Sequence, residues 1–233
     1  MQWSRSEIEG LAPILEQAQA DLEPLNGKTI LVLCSAAGEI PFWLAQRMTQ
    51  GHILGVELDA DLLETARRSA KERRLGPLVE FREAEKTRLP VPDHTFDGLL
   101  SEFIIFPTPV PTEIGQPEMA RVLKPGGRIV ITDVIITQPI SPEAREELRM
   151  IGLDYLCVGT ADDFRRWMHE AGLTDIVVKD LTPVVKPVWE RRRKQDSAPD
   201  HRKGYALLLE DPAVRLGDGI FYVYVRGTKP AGG

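Results

Sequence analysis

Short apolar runs that alternate with amphipathic segments constrain the fold of this chain more than any other feature. The first run, Thr29–Cys34, is apolar almost throughout instead of alternating in polarity, which is typical of a strand covered on both faces of a sheet. A turn of small residues and a helical segment follow it, and the same succession recurs up to about residue 135. Strands that alternate with helices predict an α/β fold, with a parallel sheet between helices on both faces.

Periodicity and turn residues divide the chain into predicted elements. The seven predicted strands are 29–34, 53–57, 79–82, 96–103, 128–134, 175–181 and 219–225. The predicted helices are 6–20, 39–48, 60–74, 114–123, 141–156 and 160–171. A turn is predicted at 124–127, and no regular element is assigned to the polar, proline-punctuated stretch 182–203. Because no linker or internal repeat interrupts the chain, we expect a single domain over residues 1–233.

Composition and charge argue against several classes of protein. The formal net charge of −6 disfavours a general nucleic-acid binder, because such proteins carry a basic face. The chain has no run of about 18 apolar residues, and its first ten residues lack the apolar centre of a secretory signal. Cys34 and Cys157 are too few for a disulfide framework or a structural metal site. We therefore expect a cytoplasmic protein without membrane insertion, nucleic-acid partner or bound metal.

The residues that follow the first three strands together suit an adenosine-like ligand. In parallel sheets, ligands bind beyond the carboxyl ends of the strands. Cys34–Gly38 is a run of small residues that leads into a helix, which lets a ligand approach the backbone. Glu57 follows the second strand, nineteen residues after Gly38, where a carboxylate can accept hydrogen bonds from ribose hydroxyls. Glu85 and Lys86 follow the third strand, beside that ribose.

Four motifs carry a resemblance to a known family. They are Ile30–Gly38, Gly55–Asp59, the LPVPDHTFD sequence Leu89–Asp97 and the ARVLKPGGRIVI sequence Ala120–Ile131. In these motifs the chain resembles the class I S-adenosylmethionine-dependent methyltransferases, in particular the methyltransferase domain 11 and ubiquinone-biosynthesis-like branch. The resemblance is close over residues 27–135 and holds only in outline over 136–218.

The resemblance implies a Rossmann-like, doubly wound sheet of seven strands, mostly parallel with an antiparallel last strand. It also implies S-adenosylmethionine as the cofactor and methyl transfer to a small-molecule acceptor by in-line displacement. Residues 27–135 would form the cofactor-binding core, and residues 1–22 and 136–218 the cap and the substrate side.

The resemblance further implies a role for individual residues. Cys34, Ser35, Ala36 and Gly38 would contact the methionine part of the cofactor, and Glu57, next to Leu58, would hold the ribose. Glu85 would reach the adenine amino group and the Lys86 amide a ring nitrogen. Ser101 and Glu102 would flank the sulfonium and the acceptor entrance.

The first loop departs from the family pattern. Val32 stands where the family has an acidic residue, and Cys34 and Ala36 stand in place of two glycines, so that only Gly38 is retained. This loss leaves open a non-catalytic, partner-binding protein of the same fold. A nicotinamide-dependent oxidoreductase is a further alternative, but its pyrophosphate turn requires three glycines in the pattern G-x-G-x-x-G.

The catalytic residue is not assigned by the sequence. A general base is needed only where the attacking atom holds a proton at neutral pH, and the candidates are Glu102, Asp133 and His94. The family's DNA-methylating members carry an Asn/Asp-Pro-Pro-aromatic motif where this chain has Ser101–Ile104, so DNA methylation is disfavoured. The apolar residues at 103–109 favour a partly hydrophobic small-molecule acceptor. The basic run Arg191–Lys194 is open to three interpretations: a solvated surface, a binding site for an anionic substrate, or a contact with a second subunit in a homodimer.

Overall fold

The alternation seen in the sequence is present in the folded chain. A computed structural model describes residues 12–33, 37–84, 88–102, 115–153 and 156–232, without the side chains of Glu102 and Cys157. Within these ranges the helices are α1 Ala12–Leu22, α2 Glu39–Ala45, α3 Ala60–Glu72, α4 Gln116–Val122, α5 Pro142–Met150, α6 Ala161–Glu170, α7 Thr182–Gln195 and α8 Pro199–Glu210. The strands are β1 Thr29–Leu33, β2 His52–Glu57, β3 Val79–Glu83, β4 Phe96–Glu102, β5 Leu123–Ile136, β6 Cys157–Val158, β7 Thr174–Asp180 and β8 Ile220–Thr228.

The strands form one sheet in the order β3-β2-β1-β4-β5-β8-β7. Strands β1 to β5 pair in parallel, whereas β8 pairs antiparallel with both β5 and β7. This arrangement confirms the predicted seven-stranded, Rossmann-like sheet with an antiparallel last strand. The two-residue β6 is an addition that the sequence did not predict. It pairs with Ile135 and Ile136 of β5, past the point where β4 ends.

Buried apolar side chains form a layer on each face of the sheet. In β1 the side chains alternate, so that Ile30 and Val32 face one layer while Leu31 and Leu33 face the other. Helices α1, α2, α3, α5, α7 and α8 contribute to the first layer, and α4 and α6 to the second. We call the side of the sheet that packs against the second layer the α4 face. Helices on both faces are confirmed.

Three parts of the chain differ most from the sequence prediction. The stretch 182–203 is largely helical, because α7 buries Val185, Val188 and Trp189 on one side and Pro183 lies in its first turn, where a missing N–H is tolerated. The predicted helix 141–156 ends at residue 150. The turn predicted at 124–127 lies within β5, at a shift in the pairing of β5 with β4. Proline and charge content therefore concealed an amphipathic spacing in α7.

Asp97 joins three segments at the amino edge of the sheet. Its Oδ2 accepts hydrogen bonds from the backbone N–H of Thr29 at 2.9 Å and from Lys124 Nζ at 2.9 Å. Lys28 Nζ lies 3.5 Å from Oδ1. Burial by itself would raise the pKa of Asp97, but the Lys124 ammonium and the Thr29 amide hold it below its usual value. The last residue of the Leu89–Asp97 motif therefore connects β1, β4 and the start of β5.

Asp97→Asn should lower the free energy of unfolding at pH 7 by about 1–3 kcal/mol, because the hydrogen-bond network loses its charged acceptor and gains an NH2 group that faces other donors. The folded-state pKa is lowered, so the stabilisation is present above the unfolded value of about 3.9 and is lost as the pH falls through the folded-state value. Urea unfolding at several pH values measures this: the two proteins should differ at neutral pH and converge in acid. Asp162→Asn is the control, because its carboxylate pairs with Arg165 on the surface, and it should change stability by less than about 0.5 kcal/mol. Equal midpoints for wild type and Asp97→Asn at pH 7 would contradict the role of Asp97.

Candidate functional site

The carboxyl ends of β1 to β4 lie side by side. Leu33 pairs with Val56 of β2 and with Ser101 of β4, and Glu57 pairs with Glu83 of β3. Neighbouring strands are about 4.8 Å apart, so the ends of β2 and β4 flank the end of β1 at a separation of about 10 Å. The strand order runs from β1 to β2 on one side and to β4 on the other, which is the arrangement that opens a ligand crevice in such sheets.

Glu57 ends β2 with a carboxylate whose position is fixed by the backbone. The side chain is 7% exposed, and its Oε1 accepts hydrogen bonds from the N–H groups of Leu58 at 2.8 Å and Asp59 at 3.2 Å. Asp59 in turn caps α3 by accepting from the N–H groups of Asp61 and Leu62. The carboxylate is therefore oriented before any ligand arrives, at the position predicted for the ribose contact.

Gly38 begins α2 in a conformation that other residues rarely adopt. Its φ is +96°, and a Cβ atom there would lie 2.7 Å from the ring of Phe42 and 2.8 Å from that of Phe81. The two rings contact each other edge to face, with centroids 5.7 Å apart. The one glycine retained from the family loop is thus required by the packing of β1, α2 and β3. Cys34, Ser35 and Ala36 lie outside the described residues.

Arg121 fixes the loop that follows β3. Its guanidinium donates to Glu118 at 2.6 Å, to the carbonyl of Val91 at 3.1 Å and to Asp93 at 2.5 Å. Glu118 also accepts from the N–H of Leu89 at 2.8 Å. Burial would raise the pKa of Glu118, but Arg121 and the Leu89 amide hold it below its usual value. The loop is therefore held against α4. Glu85 and Lys86, the predicted adenine contacts, lie outside the described residues.

Ser101 and Asp133 are buried on the α4 face at neighbouring strands. Ser101 alternates with Leu99 on β4 and is fully buried, and its Oγ has no hydrogen-bond partner in the described part of the chain. Asp133 is 1% exposed and lies two residues beyond Ile131, the partner of Ser101. Its Oδ1 accepts from the N–H of Val134 at 2.7 Å. Two of the predicted polar residues are thus brought together. Glu102 ends β4, and its side chain is not among the parts of the chain that the structure describes.

His94 lies at the opposite edge of the sheet. Its Nδ1 is 3.1 Å from the carbonyl oxygen of Leu123, at the start of β5, and 3.1 Å from Lys229 Nζ. From Phe96, which begins β4, to Ser101 the strand rises about 17 Å. We therefore do not retain His94 among the candidate bases.

The sequence analysis did not include Gln116, the first residue of α4. Its side chain is 2% exposed, and its Nε2 has no hydrogen-bond partner among the residues that the structure describes. A signal was present in the sequence, because Gln116 lies three and four positions before Met119 and Ala120, which are both buried. A polar residue at a buried helical position is the exception that points to a ligand.

Comparisons with known proteins agree with this geometry. A family model described as a methyltransferase domain matches residues 30–127. An arsenite methyltransferase of Halobacterium salinarum is 29% identical over 170 residues, covering 72% of this chain and 43% of that protein. A 2-phytyl-1,4-naphtoquinone methyltransferase of Nostoc punctiforme is 31% identical over 122 residues, covering 52% of this chain and 51% of that protein.

Over residues 30–127 the chain is similar to the methyltransferase domain family, and the relatives and structural neighbours that it matches are methyltransferases by name. Its fold is shared with the geranyl diphosphate C-methyltransferase of Streptomyces coelicolor A3(2), whose structure superposes with a TM-score of 0.75 at 19% identity and covers 98% of this chain and 85% of that one. The chain spans about half the length of the two curated relatives described above. These comparisons lend no support to a nicotinamide-dependent oxidoreductase.

Gly38→Ala should destabilise the protein more than Gly27→Ala. Both glycines have positive φ, +96° and +76°, but a Cβ at Gly27 would have no atom within 4 Å. Gly27→Ala should therefore cost only the backbone strain of about 1–2 kcal/mol, whereas Gly38→Ala adds a clash with two aromatic rings. Urea unfolding of both variants measures the difference. Equal losses of unfolding free energy in the two variants would show that the rings of Phe42 and Phe81 move aside without an energetic cost.

Proposed function

We propose that the chain binds S-adenosylmethionine across the carboxyl ends of β1 to β4 and transfers its methyl group to a small-molecule acceptor. The observation that carries the proposal is the buried, backbone-oriented carboxylate of Glu57, one strand away from the loop that Gly38 closes. A fixed acid at that position suits the two hydroxyls of a ribose.

The described residues Gly38, Glu57, Leu58 and Ser101 suit the cofactor. Gly38 would contact the methionine part together with Cys34, Ser35 and Ala36, which lie outside the described residues. Glu57 and Leu58 hold the ribose, and Glu85 and Lys86 hold the adenine. Ser101 contributes a buried hydroxyl without a partner in the described part of the chain, and Glu102 lies beside it on the acceptor side. The cofactor core is 27–135, as its motifs suggest.

Methyl transfer of this kind depends mainly on position. The bound cofactor supplies an electrophilic methyl group on a sulfonium, and the protein holds the acceptor in line with it. Asp133 is the proposed general base, because it is buried on the face that also carries Ser101. An acceptor that holds no proton at its attacking atom needs no base.

The acceptor side is proposed to comprise residues 1–22 and 136–218. Two large apolar side chains lie exposed near the carboxyl edge: Val158 of β6 is 47% exposed, and Val184 in the first turn of α7 is 40% exposed. Such side chains favour a partly hydrophobic acceptor. The relatives named above act on arsenite and on a naphthoquinone by their names, so the proposed acceptor class is a small molecule.

Location and assembly stay predictions. The described part of the chain has no helix with both the length and the apolar character needed to cross a membrane. The cytoplasmic location, the homodimer and the absence of a nucleic-acid partner rest on the sequence alone.

Glu57→Gln should weaken the binding of S-adenosylhomocysteine by about 2–3 kcal/mol, because the ribose hydroxyls lose a charged acceptor. Isothermal titration calorimetry measures the change. Glu83→Gln is the matched control, since Glu83 pairs with Glu57 at the end of the neighbouring strand but is exposed; its affinity should change by no more than about twofold. Wild-type affinity in Glu57→Gln would remove Glu57 from the site.

A further inference from the structure

Two buried side chains on the α4 face have hydrogen-bonding capacity that the described residues do not use. Ser101 Oγ and Gln116 Nε2 have no partner in the described ranges, and the two residues are 0% and 2% exposed. An unpaired buried polar group costs about 1–3 kcal/mol of stability. Native proteins keep few such groups, and each one calls for an explanation.

The geometry of α4 brings the Gln116 amide toward Ser101. The helix ends beside the start of β4, because Thr95 N donates to the carbonyl of Val122 at 2.8 Å. From Val122 back to Gln116 the helix rises about 9 Å, which is the rise of about three strand residues. Side chains of a helix lean toward its first residue, so the amide extends further in the same direction. Gln116 therefore starts at about the level of Gly98 of β4, and its side chain extends from there toward the carboxyl edge, where Ser101 lies.

Both side chains face the same layer. Gln116 is on the side of α4 that carries Met119 and Ala120, which are buried on the α4 face. Ser101 follows Leu99 on that face by two residues. The apolar neighbours offer no hydrogen bonds, so the unmet capacity is a donor from the amide and a donor or acceptor from the hydroxyl.

We propose that Gln116 and Ser101 form the deep end of the acceptor pocket and hydrogen-bond an oxygen atom of the methyl acceptor, either a carbonyl or a hydroxyl. The proposal rests on the proposed function, because it places this oxygen beneath the edge at which the cofactor binds. The unmet group of Gln116 is the amide N–H, which donates to an oxygen lone pair, whereas a hydrocarbon offers it no acceptor. Gln116 is thus a specificity residue for oxygen-bearing acceptors.

The burial of Ser101 and Gln116 also bears on how an acceptor would enter. Water does not reach either side chain in this structure, so the acceptor enters as the covering side chains move aside. The hydrogen bonds gained by the two polar groups then offset part of the cost of that movement. An analogue without the oxygen atom forms no hydrogen bond with the two side chains and should bind less tightly. A site that hydrogen-bonds a ligand oxygen discriminates strongly against ligands that lack it.

The test uses two pairs of probes that differ by one oxygen: 4-methylcyclohexanone with methylcyclohexane, and p-cresol with toluene. Protein labelled with 15N-glutamine is titrated with each probe, with and without S-adenosylhomocysteine. The Gln116 side-chain signal is assigned by its loss in Gln116→Met. We expect this signal to shift with at least one oxygen-bearing probe and to stay in place with its hydrocarbon partner. A signal that moves with neither oxygen-bearing probe, or equally with both members of each pair, overturns the proposal.

Variants provide the second arm. Gln116→Met is nearly isosteric and should reduce the preference for the oxygen-bearing probe over its partner at least tenfold, while S-adenosylhomocysteine binds as in wild type. Met119→Leu, one turn along the same side of α4, should keep the preference. Gln116→Met should unfold at the same temperature as wild type or higher, because a buried amide without a partner is removed. An unchanged preference, or a marked loss of stability, overturns the proposal. Failure of the wild-type protein to bind S-adenosylhomocysteine contradicts the proposed function instead, and the titrations without it still decide the role of Gln116.

Discussion

The parallel pairing of β1 with β2 on one side and with β4 on the other is the constraint on which the rest of the structure depends. It places the carboxyl ends of these strands at one edge of the sheet. The strand order reverses at β1, with β2 on one side and β4 on the other, and such a reversal opens a ligand crevice. Gly38 permits the tight exit from β1 into α2, and Glu57 ends β2 beside it. A cofactor that spans this crevice meets groups from several strands, none of which is close to the others in sequence.

Polar groups at the two edges of the sheet differ in how completely they are hydrogen-bonded. At the amino edge, Asp97 is surrounded by donors, and Lys229 Nζ donates to the carbonyls of Ala120 and Leu123 at 2.6 and 2.7 Å. At the carboxyl edge, Ser101 and Gln116 keep hydrogen-bonding capacity that the described residues do not meet. Paired polar groups stabilise the fold, whereas unpaired ones reduce its stability and are kept where a ligand completes them. The Leu89–Asp97 motif therefore stabilises the fold, and the opposite edge is the proposed ligand site.

The sequence predicted the sheet well, because strands covered on both faces leave unbroken apolar runs such as that of β1. It also predicted Gly38 and Glu57, since both follow directly from their place after a strand. It missed the helices within 182–203, where prolines in first turns and exposed charges hid the buried positions of α7. Gln116 was missed although its spacing from Met119 and Ala120 was a signal, because its burial and its lack of a partner among the described residues are set by how α4 packs on the sheet. His94 was a candidate by residue type, and only the strand direction placed it at the far edge. The structure places Gly38 and Glu57 after β1 and at the end of β2, but the ligand roles of all the site residues stay predictions: Cys34, Ser35, Ala36, Gly38, Glu57, Leu58, Glu85, Lys86, Ser101 and Glu102.

A crystal structure of the protein with S-adenosylhomocysteine tests the central claim most directly, because it measures where the nucleoside lies relative to the strand ends. The account predicts that both ribose hydroxyls lie within about 2.6–3.2 Å of the Glu57 carboxylate, with the homocysteine chain against the loop that Gly38 closes. Electron density for the nucleoside at any other place, or a Glu57 carboxylate that contacts only its own backbone in the complex, would contradict it.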